Sequence, residues 1–316
     1  MLSILAVTFP IYLIIGLGFW LTRSALFAKA DMRVFGKFVI NLALPALVFK
    51  ALSQRRFADI VSTGYLLAYL LGSLALLALG YLGTRRLRHL RGLSRAGSSM
   101  YAMGMVCSNS GFVGYPILLL TLAPVAGVVL ALNMVVENLV IIPLLLVLAE
   151  RGRGSGNAWH ALAQSLERLA QTPLFIALFA GLAVSLSGLV LPAPLLQTIS
   201  MFAAASGALS LFVIGGALVG LPLAGMGQRV WPIVLGKLVL HPLLVWLCLR
   251  ALALAGMPPV SAELRTAAVL MAAMPMMGIY ATLAQAYGQE DTAAAATLLA
   301  TVLSFFTVSG LMWVLL

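Results

Sequence analysis

The sequence predicts an all-α polytopic membrane protein, with ten transmembrane helices arranged as two inverted five-helix repeats. Three observations predict it. The chain of 316 residues is 63% hydrophobic and 9% charged, far from the balance of a soluble domain. Apolar runs of about 20 residues, each long enough to span a bilayer core, recur along nearly its whole length. Two of these runs, at similar depths in the two halves, are interrupted by proline and glycine, at Ser108-Asn109-Ser110-Gly111-Phe112-Val113-Gly114-Tyr115-Pro116 and at Ala273-Met274-Pro275-Met276-Met277-Gly278. In lipid, unwound backbone is tolerated only where it is buried in protein or lines a water-filled cavity. Paired interruptions of this kind point to the substrate site of a secondary transporter.

The spans fall at about 4–22, 36–54, 61–83, 98–122, 126–149, 172–190, 199–220, 231–254, 265–287 and 292–315. Five precede the longest polar connector, Glu150 to Gln171, and five follow it. This gives a first repeat over 1–149, a cytoplasmic connector over 150–171 and a second repeat over 172–316. The fourth and ninth spans are the broken ones, and the fifth and tenth follow each after a very short turn. An odd number of spans per half inserts the halves in opposite orientations. The first run contains Pro10 and has no basic stretch before it, so it reads as a retained helix and not as a cleaved signal.

Loop charge sets the orientation. On the side of the odd-numbered loops lie Arg23, Lys29, Arg33, Lys37, Arg85, Arg86, Arg88, Arg91, Arg95, Arg151, Arg153, Arg168 and Arg229, thirteen against the five of Lys50, Arg55, Arg56, Arg250 and Arg265. The positive-inside rule places the first side in the cytoplasm. Both termini then face outward from the cell inner membrane, into the periplasm of a Gram-negative cell. The Arg85–Arg95 stretch could bind anionic headgroups, and its plainer role is to set topology.

Composition excludes other classes. The net charge of +11 sits in short loops between apolar runs, which is a topology signal and no sign of nucleic-acid binding. Cys107 and Cys248 lie inside apolar runs and read as buried thiols. His89, His160 and His241 are scattered, so no zinc site is expected, and no cofactor is implied. An intramembrane protease would need buried aspartates or a nucleophile motif. Asp31, Asp59 and Asp291 all lie at span ends and no such motif is present, so the chain does not read as an enzyme.

The candidate site residues follow from the breaks. Pro116 cannot donate a backbone hydrogen bond, and Gly111 and Gly114 loosen the chain beside it. Proline suits the first turn of a helix, so Pro116 is expected to start a second half-helix whose free N–H groups attract an anion. Ser108, Asn109 and Ser110 supply donors and acceptors at the break. In the ninth span, Pro275 and Gly278 make the break among Met274, Met276 and Met277, and only the backbone is expected to contribute there, with Tyr280 or Gln285 as further polar groups.

Intramembrane ionisable groups are costly and default to functional hypotheses. Glu137 and Lys237 are the two deep ones. Glu137 shares a helix face with Asn133, four residues away. It reads either as a proton carrier or cation ligand, or as a structural carboxyl tying span 5 to the broken span. Lys237 lies about six residues into span 8, where it is expected to snorkel to the interface, with substrate contact as the alternative. His241 reads as a packing histidine. In span 2, Asn41 lies deep enough to require a partner near Pro45, and Lys50 reads as an interfacial lysine.

Three segments carry a family resemblance: Phe38-Val39-Ile40-Asn41-Leu42-Ala43-Leu44-Pro45-Ala46-Leu47, Asn109-Ser110-Gly111-Phe112-Val113-Gly114-Tyr115-Pro116, and Ala272-Ala273-Met274-Pro275 with Ala284-Gln285-Ala286-Tyr287-Gly288. The chain resembles the bacterial members of the auxin efflux carrier family, most of all the malonate transporter branch. The resemblance implies two crossing broken helices, as in sodium–proton antiporters and bile-acid transporters. It implies a scaffold domain from spans 1, 2, 6 and 7 and a transport domain from spans 3–5 and 8–10 that moves elevator-fashion. It also implies organic-anion substrates, often carboxylates, contacted by Asn109, with Pro116 and Pro275 marking the breaks. Many relatives carry a polar residue just after the ninth-span proline, where this chain has Met276 and Met277.

The expected function is therefore a carrier of a small carboxylate such as malonate. Any coupling to H+ or Na+ through an acid would use Glu137. A homodimer through the scaffold is expected by analogy with other elevator carriers. The alternative is a sodium- or proton-coupled cation antiporter of the same fold, which usually needs a pair of intramembrane acids that this chain lacks.

Overall fold

The computed structural model describes residues 2–55, 60, 62–86, 94–153, 158–220 and 229–316. Arg56, Asp59, Arg88, His89 and Arg91 lie outside the described residues, as do the side chains of His160 and Arg168. Every regular element among the described residues is helical: α1 (Leu2–Arg23), α2 (Lys29–Ser53), α3 (Thr63–Arg86), α4 (Arg95–Val106), α5 (Ser110–Thr121), α6 (Ala123–Arg153), α7 (Ala158–Ala170), α8 (Pro173–Ser187), α9 (Ala193–Ala217), α10 (Trp231–Leu254), α11 (Ala262–Ala272), α12 (Tyr280–Gln285) and α13 (Glu290–Leu315).

Six of these, α2, α3, α6, α9, α10 and α13, are long and apolar enough to cross a membrane. Shorter apolar helices occupy Phe9–Arg23, Ser110–Thr121 and Pro173–Ser187. The chain is thus an all-helical, multi-pass membrane protein. Within the polar connector from Glu150 to Gln171, α6 runs on to Arg153 and α7 covers Ala158–Ala170. Strong helix formers fill this stretch, and Leu162, Leu166 and Leu169 recur at helical spacing.

The long helices owe their path through four prolines to a repeated device. Five-residue π turns occupy Val39–Ala43, Ser110–Gly114, Glu137–Ile141 and Gly236–Leu240. Each is followed two residues later by a proline: Pro45, Pro116, Pro143 or Pro242. A proline ring clashes with the carbonyl four residues back. Widening the turn to an i→i+5 bond moves that carbonyl aside and keeps the helix continuous. The residue before the proline makes the wide bond, as the Leu44 N–H does to the Val39 carbonyl, Ile142 to Glu137 and His241 to Gly236.

The chain forms two compact units, each discontinuous in sequence. The first comprises Met1–Ser62, Gly111–Leu132 and Arg168–Gly220, and the second Thr63–Ser110, Asn133–Glu167 and Leu221–Leu316. In the first, α1 packs along α9, and α2 packs on both α8 and α9. Apolar burial gives no drive to helix pairing in lipid, so close backbone approach through small residues holds such interfaces. Gly215 of α9 lies directly on the Ile15 carbonyl of α1, and Gly18 of α1 lies on the Phe212 carbonyl of α9. Gly181 of α8 meets the Phe49 carbonyl of α2, its Cβ position lying 3.1 Å away.

In the second unit, α3 packs against α4 and α10, and α4 against α6. Gly72 lets α3 close on the Val245 backbone of α10, and Gly152 lets α6 close on Arg95 and Ala96 of α4. A polar clasp ties the end of α6 to the turn after α12. The Arg153 guanidinium donates to the Ala286 carbonyl and sits 4.3 Å from the centroid of the Tyr287 ring, while the Tyr287 hydroxyl donates to the Glu150 carboxylate at 2.8 Å.

Candidate functional site

The site lies in the second unit, where the two interruptions meet. Helix α4 ends at Val106 and the chain extends at Cys107, with ψ 119°. Helix α11 ends at Ala272, and α12 begins only at Tyr280. Ser108 and Met276 form an antiparallel bridge. The Asn109 N–H donates to the Pro275 carbonyl at 2.8 Å, and the Met277 N–H to the Cys107 carbonyl at 3.3 Å. Each break thus supplies the backbone partners that the other lost by leaving the helix, as a low-dielectric interior requires.

Buried side chains brace this junction from three helices. From α10, Lys237 is fully buried. Its ammonium donates to the Ser108 hydroxyl at 2.5 Å, to His241 Nδ1 at 2.8 Å and to the Ala272 carbonyl at 2.9 Å, with the Val106 carbonyl at 3.4 Å. Three ammonium protons thus have three close acceptors, two of them in the broken segments or at their edge. An ammonium only donates, so His241 Nδ1 accepts, and its Nε2–H faces the Ser73 hydroxyl of α3 at 3.0 Å.

From α6, Glu137 accepts from the Ser108 N–H at 3.0 Å, the Tyr69 hydroxyl at 3.0 Å and the Ser110 hydroxyl at 3.4 Å. Asn133, one turn earlier, accepts from the Tyr65 hydroxyl at 2.6 Å and donates to Ser110 Oγ at 3.3 Å. Tyr69 also lies 3.1 Å from Ser108 Oγ. The Tyr69 proton goes to Glu137, so the Ser108 hydroxyl donates to Tyr69 while accepting from Lys237. Lys237, Ser108, Tyr69 and Glu137 therefore form one directed chain from buried cation to buried carboxylate, and Tyr65, Asn133 and Ser110 form a second chain ending on the same carboxylate. Buried charges are tolerable only when paired and hydrogen-bonded in this way.

The structure brings together Ser108, Asn109, Ser110, Pro275, Asn133, Glu137 and Lys237. It corrects several expectations. The unwound stretch is Cys107–Asn109, and the helix resumes at Ser110, six residues before Pro116. Gly111, Gly114 and Pro116 lie inside or just after a π turn, because that turn accommodates the proline without breaking the helix. The start of α5 is also not open to an outside anion at Ser108 and Ser110, whose N–H and hydroxyl are taken by Glu137. Lys237 does not snorkel. Its acceptors in the broken segments satisfy it where it stands. Asn41 belongs to the other unit and is exposed, its amide donating one turn back to the Lys37 carbonyl at 2.8 Å. Gly278 is exposed, with open space where a Cβ would stand. Tyr280 is buried against Gly104, and Gln285 is exposed. Of the two thiols, Cys107 is buried and Cys248 half-buried.

Tyr65, Tyr69 and Ser73 join the site although none of them is a break residue or an intramembrane charge. Their spacing of four puts them on one face of α3, which was the available signal. The first unit holds a separate cavity of about 560 Å³, lined by Lys50, Gln54, Arg55, Tyr115 and Ser200 among others, with no acid among its lining residues. Among the described residues, no group of three His, Cys, Asp or Glu side chains is placed to hold a metal ion.

The family model described as "Membrane transport protein" matches residues 3–313. A Rhizobium meliloti (strain 1021) protein named "Putative malonate transporter" is 29% identical over 319 residues, covering 100% of this chain and 97% of the relative. The "Uncharacterized transporter YfdV" of Escherichia coli (strain K12) is 25% identical, covering 96% of this chain and 95% of the relative. With a family match over nearly its whole length and an interrupted-helix core, the chain belongs to the membrane transport proteins of the auxin efflux carrier family.

Proposed function

We propose that this transporter carries a small organic anion, a carboxylate such as malonate, across the inner membrane by an elevator-type alternating-access mechanism. The observation that carries the reading is the junction of the two interrupted helices, bonded backbone to backbone and braced by Lys237 and Glu137. Unwound backbone at membrane depth, supported by buried charge at this cost, fits a substrate site far better than a structural kink. Asn109 is the substrate ligand in this reading. The cavity lined by Lys50 and Arg55 supports an anionic cargo by charge complementarity, and the name of the Rhizobium meliloti relative supports malonate.

The full proposal comprises ten spans in two inverted repeats. Spans 1, 2, 6 and 7 form a fixed scaffold that pairs into a homodimer, and spans 3–5 and 8–10 move. Both termini are periplasmic. Glu137 couples movement to H+ or Na+. One observation favours a cation antiporter of the same fold, namely a buried carboxylate at the junction. Its neighbours weigh against it, since Glu137 already accepts from three donors and is linked through Tyr69 and Ser108 to the Lys237 ammonium.

Ligand-linked stability tests the reading. A ligand bound to the folded protein at about 100 times its Kd adds about 2.7 kcal/mol. Malonate should raise the unfolding temperature of the purified wild type, and Asn109→Ala should lose the shift while melting normally without ligand. An equal shift in Asn109→Ala, or none with any carboxylate, counts against the site.

A further inference from the structure

A second cavity, of about 590 Å³, opens in the second unit at the far end of α10. Two arginines line it, Arg250 of α10 and Arg265 of α11, and no acidic residue does. The rest of its wall is mostly apolar, including Trp246, Leu249, Leu254 and Val269. The Arg250 guanidinium lies 5.8 Å from the centroid of the Trp246 ring. Among the described residues, neither guanidinium has a hydrogen-bond or ion-pair partner, although both are strong fork-shaped donors. The apolar wall continues outward, with Leu254 exposed to 90%.

Two unpaired guanidiniums over an apolar wall match an amphiphile with an anionic head. A small dicarboxylate would leave the apolar wall unused, and a neutral lipid would leave the arginines unused. Arginine forks fit phosphate oxygens in a bidentate manner, basic pockets between membrane helices suit phospholipid headgroups, and a tryptophan beside them suits the bilayer interface. We propose that this cavity is a binding site for an anionic phospholipid, with the phosphodiester between Arg250 and Arg265 and an acyl chain along Trp246, Leu249 and Leu254. The site is independent of the interrupted-helix junction and of the identity of the cargo.

Native mass spectrometry of the purified full chain, titrated with phosphatidylglycerol and with phosphatidylcholine of the same chain length, tests it. Wild type should hold phosphatidylglycerol about tenfold more tightly. Each basic residue near a charged lipid surface contributes about fivefold, so R250Q/R265Q should bind it about thirtyfold more weakly. Both side chains are exposed, so this pair should fold. R250K/R265K, which keeps the charge and loses the forks, provides a second variant expected to bind several-fold more weakly than wild type. R23Q/R33Q, removing equal charge from the first unit, should bind as wild type does. Equal affinity for both lipids, unchanged binding in both Arg250/Arg265 variants, or an equal loss in R23Q/R33Q overturns the proposal. Displacement of the lipid by an equal concentration of inorganic phosphate or malonate also overturns it, and would make this a site for soluble anions.

Discussion

Removing the Lys237 ammonium should unseat the junction, and the loss should depend on Glu137. Lys237→Met keeps most of the side-chain volume and deletes every polar contact of the head. Ser108 Oγ, His241 Nδ1 and the Ala272 carbonyl lose their donor, at 2.5, 2.8 and 2.9 Å in the intact protein. Glu137 is left as an uncompensated buried charge. Breaking a buried pair from one side costs about 3–5 kcal/mol. Glu137→Gln leaves Lys237 uncompensated and should cost a similar amount. The double variant removes both charges, so its cost should fall short of the summed single costs by about 1–3 kcal/mol. Equilibrium unfolding of the three purified variants in one detergent, read by tryptophan fluorescence and circular dichroism, gives the coupling energy. Additivity within about 0.5 kcal/mol would refute the claim that Ser108 and Tyr69 join these two charges into one support.

Other expectations concern transport, packing and topology. Asn109→Ala should abolish carboxylate uptake while protein remains at wild-type level in the membrane, as checked by uptake and immunoblotting. Glu137→Gln should flatten the pH dependence of uptake, and a profile matching wild type would leave Glu137 with a structural role alone. Gly215→Ala drives a Cβ into the Ile15 carbonyl between α1 and α9 and should destabilise the first unit by about 1–3 kcal/mol. Reporter tags at the two termini should both read as periplasmic, and a cytoplasmic signal from either would break the orientation or the span count.

The place of the junction was legible in sequence because proline, glycine and serine are conspicuous in apolar runs. The point of unwinding was not. Pro116 reads as a helix start, but the π turn at Ser110–Gly114 absorbs it and the chain opens at Cys107–Asn109 instead. The same device carries α2, α6 and α10 past Pro45, Pro143 and Pro242, so a proline in these helices is not itself evidence of a break. Glu137 stood out by its cost in lipid, and its tie to the broken span was one of the two roles expected. Lys237 stays buried for a physical reason. Snorkelling follows from distance to the interface, whereas staying buried follows from acceptors such as Ser108 and Ala272, which are remote in sequence and invisible to periodicity. Tyr65 and Tyr69 shared a face at the right spacing, but a tyrosine stripe in an apolar helix signals packing until its hydroxyl partners are known.

The most direct test of the account is uptake of radiolabelled malonate into proteoliposomes of the purified protein, with unlabelled mono- and dicarboxylates as competitors. The account predicts saturable uptake, blocked mainly by dicarboxylates and absent with Asn109→Ala. Failure to transport any carboxylate, with or without proton and sodium gradients, would contradict it and turn attention to the cation antiporter.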